Sequence, residues 1–492
     1  MKNIIFILLV SCFSTMTFAQ KSNMTAKRLI ELGRVHGIGI SNDGQVVYSV
    51  SKYSFDTQSK DRKTYSVGIN GENNRVFTKE TTDKRISPNG KYKIVVKEEK
   101  LKKIFGKDFY PDLPGSNVMI YDELNYRHWD TWEDGAYSHI MYVPLNQKNA
   151  DTVDVMKGER YDCPQKPFGG EEDYVWSPDS RRILYVSKKK TGTEYAISTN
   201  SDIYEYNLAT GKTENLTAYN KGYDTAPAFS SKGTLAWLQM KRDGYESDKN
   251  DIIVRMKNKD VNLTKAWDGT VNSFIWSKNG KKIFFVAPVL GTVQLFELKV
   301  PSSPSKKIKL PKQITKGQFD VNGIVGQVGN QLAVTRRDMN HAVEIYAVNL
   351  SSGKMKQISH VNDAIYAKTN MGKIEKRMTK TTDGKQMLSW VIYPPDFDPN
   401  KKYPTILYCQ GGPQGALSQF YSFRWNFQLM AAHGYVIIAP NRRGMPGYGV
   451  AWNEQISKDY GGQNMDDYLS AIDDIATESY VDKDRLGCIG AS

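Results

Sequence analysis

The sequence predicts two architectures in one chain: a β-propeller of about seven four-stranded blades up to residue 360, then an α/β region with a doubly wound sheet. Three observations predict this. A turn-and-strand unit built around a serine recurs along the first part of the chain. Each unit carries a second half in which an alternating strand ends in a tight polar turn. From Lys385 the period changes, and near-continuous apolar runs alternate with helical patterns, as a sheet covered on both faces requires.

The chain opens with Lys2, an apolar run over residues 4–10 and Thr17-Phe18-Ala19 before Gln20. This order predicts an export signal over residues 1–19 and a mature chain from Gln20, hence an exported protein, periplasmic or else secreted. A rival reading takes Leu9-Val10-Ser11-Cys12 as a lipobox that anchors a lipoprotein through Cys12. The apolar run is far short of the ~20 residues that a membrane span needs, and no later stretch qualifies. Residues 25–32 read as a short helix closed by Gly33.

The five serine-centred turns are Ile40-Ser41-Asn42-Asp43-Gly44, Ile86-Ser87-Pro88-Asn89-Gly90, Trp176-Ser177-Pro178-Asp179-Ser180, Phe229-Ser230-Ser231-Lys232-Gly233 and Trp276-Ser277-Lys278-Asn279-Gly280. Their serines lie 46, 90, 53 and 47 residues apart, so the period is near 47 with one copy degenerate. Residues 202–217 and 343–359 show the second half of the unit, closed by Thr210-Gly211 and Ser352-Gly353. A four-stranded unit of this length cannot bury its own faces and must stack on copies of itself. About 340 residues at this period give seven blades, with six or eight as neighbours of that count. Separate β-domains are disfavoured because no Gly, Ser or Pro linker divides the units.

In the second region, residues 386–395 form a strand ending in Pro394-Pro395, and residues 403–410 form a buried strand broken by Gly411-Gly412-Pro413. Residues 423–433 read as a helix capped by Gly434, followed by a third strand over residues 435–441. Asn464 is placed to cap the next helix, with Asp466 and Asp467 in its first turn and Tyr468, Leu469, Ile472, Ile475 and Ala476 as its apolar stripe. A last strand over residues 485–490 runs into Ala491-Ser492.

Composition narrows the function. The net charge is +14, but lysines are interleaved with acidic residues, and no contiguous basic stripe of the kind a nucleic acid requires is present. Cys163, Cys409 and Cys488 are too far apart for a disulfide framework, and no Cys/His spacing suggests a metal, so no cofactor is expected. Cys409 and Cys488 read as packing residues in buried strands.

Gly490-Ala491-Ser492 after a buried strand is the first half of G-x-S-x-G, the elbow that presents a serine at the sheet's C-terminal edge. Taken alone, the motif is also an ordinary turn. Upstream, Gln410-Gly411-Gly412-Pro413-Gln414-Gly415 breaks a strand where such a site needs oxyanion donors. Between them lies the loop Asn441-Arg442-Arg443-Gly444-Met445-Pro446-Gly447-Tyr448-Gly449.

The order of these motifs, with Asp459-Tyr460-Gly461-Gly462 and Asp484-Arg485-Leu486-Gly487 between and after them, resembles the catalytic domain of the prolyl oligopeptidase family, and the propeller resembles that family's gating domain. Within it the motifs most resemble bacterial dipeptidyl-peptidases of the fifth type, then acylaminoacyl-peptidases. The resemblance implies a propeller over residues 20–360 and an incomplete α/β-hydrolase domain over residues 361–492, acting on short peptides and leaving a homodimer open. It implies Ser492 as nucleophile and Gln410 and Gly411 as oxyanion candidates, where many relatives carry His or Tyr at the position of Gln410. It also implies an acidic anchor for the substrate amine, for which Glu171 and Glu172 are the candidates, although a solvated turn explains them equally well. A serine needs a histidine and an acid, which in α/β-hydrolases follow it in sequence. All six histidines precede Ser492, so the chain as written is expected to be an inactive fragment of a longer serine peptidase. The alternatives are an acylaminoacyl-peptidase or esterase of the same fold, and a propeller that serves as a binding module.

Overall fold

A computed structural model describes residues 21–78, 83–124, 126, 129, 132–147, 150–412 and 414–491. The export signal, Cys12, Gln20, His128, Pro413 and Ser492 lie outside the described residues.

Six small antiparallel sheets, over residues 34–76, 92–154, 174–215, 224–262, 273–313 and 320–357, form the propeller, each from consecutive strands. Five have four strands and the second has three, with an isolated Ile86–Lys93 bridge beside it. The count is six, not seven. The 90-residue gap between Ser87 and Ser177 holds one blade, not two: its strands Tyr92–Lys100 and Ala136–Pro144 pair directly, and residues 101–135 are an insertion between them.

Period-two alternation glues the blades. In blade three Ile183 and Tyr185 pack toward blade two with Ile94 and Ile140, while Leu184 and Val186 pack toward blade four with Leu235 and Trp237. Blade five repeats this, with Ile283 and Phe285 facing blade four and Phe284 and Val286 facing blade six. Val46 and Tyr48 of blade one meet Ala333 and Ala347 of blade six, which closes the ring by side-chain packing.

The recurring serine now has a physical role. Ser41, Ser87, Ser177, Ser230 and Ser277 each accept from a backbone N–H at or one residue before the start of the following strand, at 2.9–3.0 Å. All but Ser230 also donate to an Asx carboxyl or amide oxygen two residues on. Each side chain thereby satisfies a turn that the ladder leaves open. The tryptophans before two of these serines latch neighbouring units: Trp176 donates to the Arg85 carbonyl (2.8 Å) and Trp276 to that of Ala228 (3.1 Å).

The second region is a five-stranded sheet in the order Ile374–Lys380, Gln386–Ile392, Val436–Pro440, Tyr403–Cys409, Val481–Gly490. Its last three strands are parallel. Met387, Val391, Leu407 and Ile438 face helix Gln463–Ile475, and Leu388, Trp390, Tyr408 and Ile437 face helix Phe427–Ala432. Burial on both faces explains the unbroken apolar runs. Helix Ala26–Glu31, capped by Thr25, packs on Tyr421 and Ala342, and the strand before it, Ser22–Asn23, pairs with Thr369–Asn370, so the start of the described chain lies beside this second region. Gly33 and Asn362 exchange reciprocal hydrogen bonds (2.8 and 2.9 Å) that fasten it there.

Several local expectations are corrected. The helix expected over 423–433 starts at Phe427, because Asn426 caps it through the Leu429 N–H. Gly462, not Asn464, is the N-cap of the last helix, and Asn464 is buried in its first turn. Leu469 is exposed, and Ala471 takes its place in the stripe. Cys488 is exposed, on a strand that among the described residues pairs with Tyr403–Cys409 alone.

Candidate active site

Strand Val481–Gly490 runs parallel to Tyr403–Cys409, in a register that places Gly490 beside Cys409. A Cβ at Gly490 would stand 2.6 Å from the Cys409 carbonyl oxygen and 2.9 Å from its Cβ, so the close approach of the two strand ends calls for glycine. Both strands therefore deliver their next residues to one sheet edge: Gln410 and Gly411 from one, Ala491 from the other. Ser492, next in sequence, lies outside the described residues.

The Gln410 carbonyl is held from behind by Arg442 Nη2 and by the Tyr468 hydroxyl, both at 3.2 Å. Arg442 also donates to the Tyr468 oxygen (3.1 Å) and to the Arg443 carbonyl (2.7 Å). Burial pushes the Tyr468 phenol up, which keeps it neutral and able to donate. The side-chain oxygen of Gln410 is buried without a hydrogen-bond partner among the described residues.

Arg443 anchors this loop. It is buried, as is Asp467, and bonds Asp467 through Nε (3.0 Å) and Asp383 through both terminal nitrogens (2.7 and 2.8 Å). Asp467 thus serves the arginine rather than its own helix dipole. The Asp383 carboxyl is held well below the usual carboxylate range by the guanidinium. Farther along the loop, Gly449 (φ +92°) passes so close to Asp268 of the propeller that a Cβ would meet its carboxylate at 2.7 Å.

A cavity of about 510 Å³ opens inside the propeller, lined by parts of blades two to four and by the 101–135 insertion. Glu172 lines it, whereas Glu171 is two-thirds exposed and approaches Arg85 at 3.9 Å outside that lining. The 3₁₀ turn Glu171–Asp173 thus separates two neighbouring carboxylates that sequence reading treated alike. Asp173 is buried and its carboxyl is pushed up to about 7 by burial, although its Oδ2 accepts from the Gln165 N–H (2.9 Å).

Glu133 and Asp162 complete the acidic wall, both raised by burial, with Lys166 3.2 Å from Asp162. Neither was singled out from the sequence. The signal that marks Glu133's region is the doubled spacing before Ser177, because an insertion without strand period must do something other than build a blade. A second cavity of about 480 Å³ shares Lys188 and Tyr223 with the first and reaches Gln414 of the oxyanion-candidate loop.

No histidine lines either cavity among the described residues. His139 is buried between Asp154 and the Glu159 carbonyl, His341 bonds Asp338, His360 bonds Asp363, and His433 ends a helix. Among the described residues no cluster of His, Cys, Asp and Glu could hold a metal ion, and no helix is long and apolar enough to cross a membrane.

Comparison with known proteins places this geometry among relatives. Residues 421–492 match the model of the prolyl oligopeptidase family. The chain is 39% identical to dipeptidyl-peptidase 5 of Porphyromonas gingivalis, over 96% of this chain and 75% of that protein. It is 39% identical to dipeptidyl-peptidase 5 of Porphyromonas endodontalis, over 97% of this chain and 75% of that protein. Acylaminoacyl peptidase of Pyrococcus horikoshii shares the fold, with a TM-score of 0.73 at 15% identity over 96% of this chain and 75% of that one.

Proposed function

The chain belongs to the prolyl oligopeptidase family, and on that premise we propose that it is a serine exopeptidase releasing dipeptides from the free amino end of short peptides, with Ser492 as nucleophile. The observation that carries this reading is the junction at the sheet edge, where Gly490 and Cys409 are neighbours and the next residues of both strands converge. Acyl transfer needs N–H donors beside its nucleophile, and Gln410 and Gly411 leave the strand end that neighbours Gly490.

In this reading Ser492 Oγ attacks the scissile carbonyl, and Gln410 and Gly411 donate to the oxyanion. Arg442 and Tyr468 do not touch substrate; they fix the Gln410 carbonyl and thereby aim the loop. The propeller admits only chains thin enough to enter, and Glu172 on the cavity wall receives the substrate ammonium. Glu171, paired toward Arg85, supports that wall from outside. The leader-like residues 1–19 support a periplasmic location.

The test uses the natural gene product with one pentapeptide bearing either a free or an acetylated amino end, products being read by mass spectrometry. Dipeptide release from the free form alone, abolished by Ser492→Ala, is expected. Preferred cleavage of the acetylated form assigns the acylaminoacyl-peptidase alternative instead, and activity retained by Ser492→Ala rejects the nucleophile.

A further inference from the structure

The second cavity is unlike the first. It lies between the two regions of the chain, with Ser198 and Gly244 to Ser247 on the propeller side and Gln414, Ser457, Lys458 and Tyr460 on the other. Its walls are pinned at a fixed spacing: Ser247 and Ser457 share a hydroxyl hydrogen bond (2.5 Å), Asn453 donates to the Ser247 carbonyl (2.6 Å), and Arg242 pairs with Glu454 (2.6 Å). Such a cleft is preformed rather than induced.

Its lining carries large apolar side chains left open to solvent. Ile197 is 68% exposed and Tyr460 66% exposed, and Tyr245 joins them in the same cleft. Single exposed apolar residues need no explanation, but several converging beside a catalytic loop from two separate parts of the chain do. Lys188 and Lys458 outnumber Glu246 among the charges lining it.

We propose that this cleft holds the leaving segment of the substrate and selects apolar residues directly after the cleaved bond. The assignment rests on the exopeptidase reading and deepens it. The two residues to be released lie toward the cavity with the acidic wall. The remainder of the peptide is assigned to the neighbouring cleft, which shares Lys188 and Tyr223 with that cavity and is lined by Gln414. A short peptide ends in a carboxylate, which suits the cationic balance there, and its first residues meet Ile197, Tyr245 and Tyr460.

The test compares two tetrapeptides with identical first two residues and Leu or Gly at the third, using the natural gene product. Contact of one apolar side chain with such a wall gives a kcat/KM ratio, Leu over Gly, of about tenfold or more. The double variant Ile197→Ala/Tyr460→Ala is expected to bring the ratio to within about twofold of unity. Because the readout is a ratio from one preparation, any loss of folded protein cancels. A wild-type ratio near one, or a ratio unchanged in the double variant, overturns the proposal while dipeptide release itself continues. Absence of dipeptide release from both peptides overturns the exopeptidase reading and this assignment with it.

Discussion

Replacing Arg443 by Met tests how the loop behind the candidate oxyanion site is held. The side chain is buried and donates to Asp467, Asp383, Thr381 and Gln455, with Trp452 stacked at 4.2 Å from its guanidinium. Methionine keeps much of the length and removes every donor. Asp467, itself buried, is left with one side-chain donor, Gln463 at 3.1 Å, and one backbone N–H, from residue 443 at 2.7 Å. Breaking one partner out of a buried pair costs about 3–5 kcal/mol, because the surviving charge stays desolvated. For a unit of this size the midpoint of thermal unfolding then falls by roughly 10 °C. The second variant, Arg443→Met/Asp467→Leu, removes the orphaned charge and is expected to recover most of the loss. The folded-state carboxyl of Asp383 lies below its ordinary value of 3.8, so its contribution is present above that value and fades as pH falls. The gap between wild type and Arg443→Met therefore narrows below about pH 4. Calorimetry across pH checks all three. A loss under about 1 kcal/mol, or a double variant no more stable than the single one, refutes the reasoning.

Gly490→Ala drives a Cβ into the Cys409 carbonyl at 2.6 Å, and overpacking of this kind costs about 1–3 kcal/mol; chemical unfolding reads the loss. Ser177→Ala removes an acceptor for the Arg182 N–H (3.0 Å) and a donor to Asp179, and is expected to cost about 1–2 kcal/mol, seen as a lowered urea midpoint of the propeller. For Asp173 the folded-state carboxyl is raised from 3.8 to about 7, so burying it favours the protonated form and stability falls as pH climbs from about 4 to 7. Asp173→Asn is therefore expected to raise the unfolding temperature relative to wild type at pH 8, by up to about 4 kcal/mol in free energy, and to lose that advantage near pH 4.

Much of the fold is legible because its causes are local. The serine of each propeller turn bonds within five residues of itself, so the motif survives in sequence as a readable unit. The two-faced burial of the central sheet writes itself as unbroken apolar runs. The blade count was not legible, since a spacing of 90 residues describes two blades or one blade with an insertion equally well. Only the pairing of Tyr92–Lys100 with Ala136–Pro144 separates the two. The buried Asp467 reads as an ordinary first-turn acid until Arg443, 24 residues earlier, is folded against it.

At the site, Gly490 pairs with Cys409, the residue just before Gln410 and Gly411. Glu171 and Glu172 look equivalent in sequence and are not, because a single 3₁₀ turn sends one into the cavity and the other toward Arg85. The cleft beside Gln414 had no sequence signal, since Ile197 ends a short helix while Tyr245 and Tyr460 come from two unrelated loops.

The account stands on a serine made reactive where two parallel strands end together. Treating the natural gene product with a fluorophosphonate and mapping the adduct by mass spectrometry tests it most directly. The account predicts stoichiometric modification of Ser492, with loss of peptidase activity in step, and no adduct in Ser492→Ala. Full activity with Ser492 unmodified, or an adduct on another serine that tracks inactivation, contradicts it.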